Sequence, residues 1–447
     1  MQRPFFSKAA RLNILQAFIV AGAFLLNALP SRAAWHVATN GADAGNDGLS
    51  WDQPLLTISN AVAKASAAAL DTILVSNGTY DISYEIYVAK PVTITGLNGR
   101  TNTIVRANAA FPDITNRCFY LNHTSAVLQE LTITNGGWIK DVQSDLYRGG
   151  GIMLQNGTGR ECLITGNSAF QGGGVFMKGG GSWRYSMVSN CVIQGNICSN
   201  SGSASGGGGV SLRAGILKDC LVMNNTDLGP ICNGGGIVVY CDQPSDVWSM
   251  SGCLIISNVA HGSGGGCYYY SILTNPVIDC HFDMNYARTY GGGIRMGAFL
   301  ILSGGSVNSN TIGSYYGAGI SAPAGLTASN ISLSYNYLTN AWGGAGIDFS
   351  GTEAVFDNCE ISYNRTACLP AIRSGQYGGG MYFRGSNLTV RNSRFTGNTI
   401  VNSNAVTGGA IYSPNNKGAV LIENCLIRSN AITAGNSGAY CRGGGLF

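Results

Sequence analysis

The sequence predicts an all-β chain wound as a solenoid of parallel strands, a parallel β-helix with a short helix capping its N-terminal end. Three observations predict this. Glycine makes up 65 of 447 residues, about twice its usual share, and only 11 % of the chain is charged against a typical quarter. The glycines are periodic: triplets, or near-triplets with one Ala, end at Gly151, Gly174, Gly209, Gly236, Gly266, Gly293, Gly319, Gly346, Gly380, Ala410 and Gly445, about 29 residues apart, each followed by an apolar residue. In strict alternation with them runs a second motif, an apolar residue, two variable residues and Asn. It ends at Asn167, Asn196, Asn225, Asn258, Asn285, Asn310, Asn336, Asn364, Asn398 and Asn430. The apolar runs of each unit, such as Ile237-Val238-Val239, are too short for helices and rich in β-branched residues. One unit cannot bury its own apolar side, but stacked units can. Two or three strands per coil would each pair with their equivalents one coil on, about 4.8 Å away.

Residues 1–33 have the parts of an export signal: a basic start at Arg3, Lys8 and Arg11, an apolar run from Leu12 to Leu29, and small residues in Ser31-Arg32-Ala33. Cleavage is expected near Ala34, giving a secreted or cell-surface protein. The segment holds four of the 26 basic residues, and the remaining 22 balance 22 acidic ones. A neutral mature chain has no electrostatic attraction to nucleic acid or acidic lipid. No later apolar stretch is long enough for a membrane-spanning helix. Too few charges accompany too much apolar content for disorder, and clustered Gly does not fit collagen.

Residues 34–148 are read as the N-terminal cap and first coils. Thr57 is placed to N-cap a helix from about Ile58 to Ala69, with Ile58, Ala61, Val62 and Ala65 on the face that closes the core. Residues 149–447 are the repeat. Its triplets are read as corners where the chain turns with positive φ or where coils approach closely. A phosphate-cradling loop would need a following Lys-Ser/Thr or a strand-to-helix context, and neither is present. The Asn positions are read as a stacked ladder at another corner, where Asn tolerates left-handed geometry and its amide bonds to the next coil. Seven of the 14 cysteines, Cys162, Cys191, Cys220, Cys253, Cys280, Cys359 and Cys425, share one repeat position that is Gly305, Ile331 and Ser393 elsewhere. That predicts an interior column of small buried thiols. Cys198 and Cys232, in successive coils, are a candidate disulfide pair. No Cys or His spacing suits a zinc site.

Gly408-Gly409-Ala410-Ile411 with Phe395-Thr396-Gly397-Asn398, and more loosely every other unit of residues 149–447, resembles the passenger of the polymorphic outer-membrane protein (autotransporter-like) family. The region from Trp35 to Trp51, with Asp71-Thr72-Ile73-Leu74-Val75 and Gly78-Thr79-Tyr80, resembles the opening of many bacterial right-handed parallel β-helix proteins. Those include surface proteins, adhesins and some polysaccharide lyases. The resemblance implies a right-handed parallel β-helix (solenoid), the hand that parallel crossovers take, and a surface scaffold. The family ends in a membrane barrel. This sequence has none and stops at the start of a strand, at Gly445-Leu446-Phe447, so it is read as truncated at the C-terminus.

Aligned on the triplets, the two outward positions of each coil hold Asp348 as their one acid. The paired carboxylates of glycoside hydrolysis are therefore absent from this face. Arg295 and Asp348, two coils and roughly 10 Å apart, are the catalytic candidates if the chain is instead a polysaccharide lyase or other glycan-active enzyme on a pectate-lyase-like fold. What the face does carry is aromatic and basic: Phe176, Lys178, Arg213, Tyr240, Tyr268, Tyr270, Tyr382, Arg384 and Tyr412. Tyrosine stacks on sugar rings and Arg holds carboxylates bidentately, so the expected partner is a polysaccharide or cell-surface glycan. Asp43, Asn46 and Asp47, in a Gly-rich loop, have the oxygens for a Ca²⁺ ion, although a turn uses the same residues. No other cofactor is expected.

Overall fold

The computed structural model describes residues 32–108, 117–137, 147–178, 186–199, 206–229, 233–339, 343–367, 376–402, 406–414, 418–434 and 441–446. All but the end of the export segment lies outside these residues, as does Cys232 of the candidate disulfide.

The chain is a parallel β-helix. A coil has four short strands, one or two more than expected. One coil runs Val175–Met177, Ser186–Ser189, Val192–Gln194 and Ile197–Cys198. Each pairs in parallel with its equivalent in the next coil: Val175 with Val210, Met187 with Ile216, Val192 with Leu221 and Ile197 with Thr226. The second and third strands are parted by one left-handed residue and the cysteine position, here Asn190 at φ 51° and Cys191. That left-handed position is Asn, Asp or Gly in most coils, for example Asp219, Gly252, Asn358 and Asn392. The first three ladders join into a 35-stranded sheet and the fourth makes a ten-stranded one. The ladders run back through the N-terminal region, as in Phe119 with Ile152, Ile133 with Ile164 and Ala34 with Thr72. Alternate residues turn inward to a long apolar core, and a second small cluster of Ala260, Ala287, Ile312, Ala318, Leu338 and Ala345 is buried at the fourth ladder.

The N-terminal helix spans Ile58–Lys64, shorter than expected, with Thr57 Oγ1 accepting from the Asn60 amide. Two contacts end it early. Lys90 Nζ donates to the carbonyls of Val62, Ala63 and Ala65 at 3.0, 2.7 and 2.7 Å, closing the helix C-terminus. Ser66 then accepts from the Ala68 and Ala69 amides and starts a turn. Ile58, Ala61 and Val62 are buried against the first coil.

Both roles read for the triplets are present, divided among the glycines. The first takes the turn, as Gly172 does at φ 62°. The third lies against the next coil: a Cβ on Gly236 would stand 2.7 Å from the Gly266 carbonyl oxygen and 2.8 Å from Asn258 Nδ2. The Asn column is a buried amide ladder. Asn225 donates from its backbone amide and Nδ2 to Asn258 Oδ1, at 3.0 and 3.1 Å, and Asn258 does the same to Asn285. The left-handed residue is not Asn itself, as expected, but the one before it, for example Gly195, Asn224 or Ser257. The seven cysteines of the column are unpaired, six of them buried and Cys425 half-buried. In the column, Cys220 Sγ donates to the Val188 carbonyl 3.6 Å away and Cys253 Sγ to Leu217 at 3.7 Å.

Candidate functional site

The first outward position forms one in-register ladder along the rod: Met153, Phe176, Ser211, Val238, Tyr268, Arg295, Ser321, Asp348, Tyr382, Tyr412. The face is not simply open. Phe176 is fully buried, which removes it as a sugar platform. Arg148, the residue before one triplet, and Arg213, at the second outward position, lie on the Phe176 ring, at 5.2 and 5.7 Å from its centroid. Arg213 also covers Tyr240, which stacks on Tyr270 at 5.3 Å. Burial, then the charge of Arg148, pulls the Arg213 pKa below its ordinary value. Lys178 stands half-buried on the same stretch.

Farther along, the face becomes a strip of tyrosines around one buried acid. Arg295 and Asp348 flank Ser321, two rungs apart as expected, and Arg295 Nη1 donates to Ser321 Oγ at 2.6 Å. The partner of Asp348 is Arg384, whose Nη2 reaches both carboxylate oxygens at 3.0 and 2.8 Å. Asp348 is only 3 % exposed. Burial pushes its pKa up to about 6, against the opposing charge and hydrogen bonds of Arg384 and the charge of Arg295. Arg384 lies between the rings of Tyr316 and Tyr382, at 4.8 and 4.9 Å, and Arg295 over Tyr290 at 4.7 Å. Tyr290 stacks on Tyr315 and Tyr316, and Tyr377 on Tyr412 at 4.8 Å. Tyr382 stacks on Tyr412 at 5.5 Å. A groove of about 710 Å³ opens beside Tyr382 and Arg384, bounded by Phe299, Pro323, Ser350 and Pro414.

The fold thus gathers Tyr268, Arg295, Asp348, Tyr382, Arg384 and Tyr412 into one strip, with Phe176, Lys178, Arg213, Tyr240 and Tyr270 on the stretch before it. Sequence reasoning missed Arg148, Tyr290, Tyr316 and Tyr377. All four precede the first glycine of a triplet, and alignment on that position would have exposed them. Gly343 holds the same position between Tyr316 and Tyr377, and a Cβ there would lie 3.2 Å from Asp348 Oδ1. The Tyr316 ring fills that space, its Cδ1 2.7 Å from where the Cβ would stand.

The calcium candidates hold a turn. Asp43 accepts from the Leu56 and Thr57 amides and from Thr57 Oγ1. Burial alone would raise its pKa, but those bonds hold it below the ordinary value. Asn46 Nδ2 donates to the Pro54 carbonyl, and Asp47 accepts from the Leu49 amide. Among the described residues no three His, Cys, Asp or Glu gather as a metal ion would need. No described helix is long and apolar enough to cross a membrane.

A family model described as "Right handed beta helix region" matches residues 294–445, so the coil over that stretch is a right-handed β-helix repeat. No curated protein matches the sequence. Among solved structures the chain is similar to a pectin methylesterase in complex with a hexasaccharide, with 13 % identity over 72 % of this chain and 81 % of that one and a TM-score of 0.29. It is also similar to a pectate lyase, with 13 % identity, 92 % and 82 % coverage and a TM-score of 0.30. A third is a lacto-N-biosidase from Eubacterium ramulus, with 10 % identity, 95 % and 72 % coverage and a TM-score of 0.31. These likenesses concern the fold alone.

Proposed function

We propose that this chain is an exported or cell-surface β-helix scaffold, adhesin-like, that binds glycans along its tyrosine and arginine strip. The observation that carries the reading is a row of two ring clusters, Tyr290 with Tyr316 and Tyr382 with Tyr377 and Tyr412, bridged by the Arg384 guanidinium between Tyr316 and Tyr382 and with Arg295 laid on Tyr290. Stacked rings on a rigid ladder offer sugar faces a platform at little conformational cost. Arg295 and Arg384 outnumber Asp348 by one charge, which favours glycans bearing carboxylates. The export segment supports a location outside the cytoplasm, where such glycans are met.

A glycan array tests the reading. The native chain should bind acidic glycans without cleaving them, and Tyr382→Ala with Tyr412→Ala should weaken that binding at least tenfold. Unchanged binding by the double variant would remove the strip as the binding surface.

One observation favours a second reading, that the chain is a polysaccharide lyase or other glycan-active enzyme. Asp348, with its pKa raised to about 6 beside two guanidinium groups, is suited to proton transfer near neutral pH. Release of unsaturated sugars from a uronate polymer, lost in Asp348→Asn, would establish it over the scaffold reading.

A further inference from the structure

The residue before each ladder Asn is left-handed, and most coils place Gly, Asn or Ser there: Gly166, Gly195, Asn224, Ser257, Ser309, Gly397, Ser429. Three coils do not: one places Met284 there at φ 55°, and two successive coils place tyrosine. Tyr335 and Tyr363 hold the position at φ 57° and 53°. A bulky side chain in this region is a backbone outlier, and such outliers persist where something other than local comfort maintains them. Burial is not that something, since the rings are 59 % and 48 % exposed. They stack on each other, with centroids 5.1 Å apart and planes 12° from parallel. The next coil keeps Gly397, where a Cβ would stand 2.7 Å from the Tyr363 ring. The result is a flat aromatic platform facing solvent, on a different strand ladder from the strip already described.

The strands that lead into the platform line a groove of about 400 Å³. Ser332–Ser334 runs directly into Tyr335, and Glu360–Ser362 into Tyr363. The groove presents Asn330, Asn358, Asn392, Ser332, Glu360 and Arg394. Asn358 Nδ2 donates to Asn330 Oδ1 at 2.8 Å, and Glu360 stands in register with Arg394 one rung on. One acid and one base cancel, leaving amides and hydroxyls, which match the hydroxyls of an uncharged sugar rather than carboxylates or phosphates. We infer that this corner is a second carbohydrate site, taking neutral glycans, with Tyr335 and Tyr363 as the ring platform and the groove as its polar wall.

The inference does not rest on the first strip, and its test separates the two. Native chain, a Tyr335→Asn/Tyr363→Asn double variant and an Arg394→Ala variant are measured on neutral and acidic glycans, alongside their melting temperatures. Asn accepts left-handed backbone, so the double substitution relieves strain while removing the rings. The native chain should bind at least one neutral glycan. The double variant should lose that binding at least tenfold and Arg394→Ala at least threefold. Melting temperatures should not fall, and acidic-glycan binding should stay intact. The proposal is overturned if the native chain binds no neutral glycan, or if either variant binds undiminished. A melting temperature that falls in the double variant also overturns it, because the rings would then be a structural stack.

Discussion

Asp348 is the residue on which the chemistry of the strip turns. Its folded pKa of about 6 lies above the ordinary 3.8. Between those values the folded chain holds the proton more tightly than the unfolded one. The carboxyl therefore favours the fold most at low pH, and that contribution is lost as pH rises through about 6, a difference of roughly 3 kcal/mol. Thermal unfolding from pH 3.5 to 7 should show native stability falling across this window, with the slope removed in Asp348→Asn. An equal slope in the variant would mean that another group titrates there. Tyr335 and Tyr363 carry the opposite kind of cost, roughly 1–2 kcal/mol each for a left-handed side chain, which their mutual stacking offsets only in part.

At the scale of the element, the Asn ladder is the seam that fixes each coil on the next. Asn258 accepts from both donors of Asn225 and donates to the Val222 carbonyl and to Asn285 Oδ1, in a fully buried setting. Asn258→Ala strands two buried donors and a carbonyl, so denaturant unfolding should show a loss of about 3–5 kcal/mol. A loss under about 1 kcal/mol would mean that water or backbone shifts satisfy those groups. This ladder was legible in the sequence because it recurs at one motif position in ten coils, as do the glycine corners. The site was less legible for geometric reasons. The Arg384–Asp348 pair joins different positions of neighbouring rungs, so no single column contains it. Tyr290, Tyr316 and Tyr377 reach the face from before the corner, whereas the outward positions aligned on the triplets all lie after it. Phe176 is buried although it points outward, because alternation says which residues leave the core but not what then covers them. The helix stops at Lys64 because Lys90, in a later segment, caps it, a contact that local propensity does not contain.

The whole molecule is a rod whose strands stack in register, which turns any column of like residues into a linear surface. From Arg295 to Tyr412 the strip crosses four rungs, roughly 19 Å at the strand spacing. A surface of that shape suits a chain molecule lying along the axis better than a single sugar. The most direct measurement is the affinity of the native chain for acidic oligosaccharides of increasing length, by calorimetry. Affinity should climb with each added sugar until the oligomer spans the strip and then level off, with the climb abolished in Tyr382→Ala/Tyr412→Ala. Affinity that is the same for a disaccharide and a hexasaccharide, or a climb that survives in the variant, would contradict a binding strip along the rod.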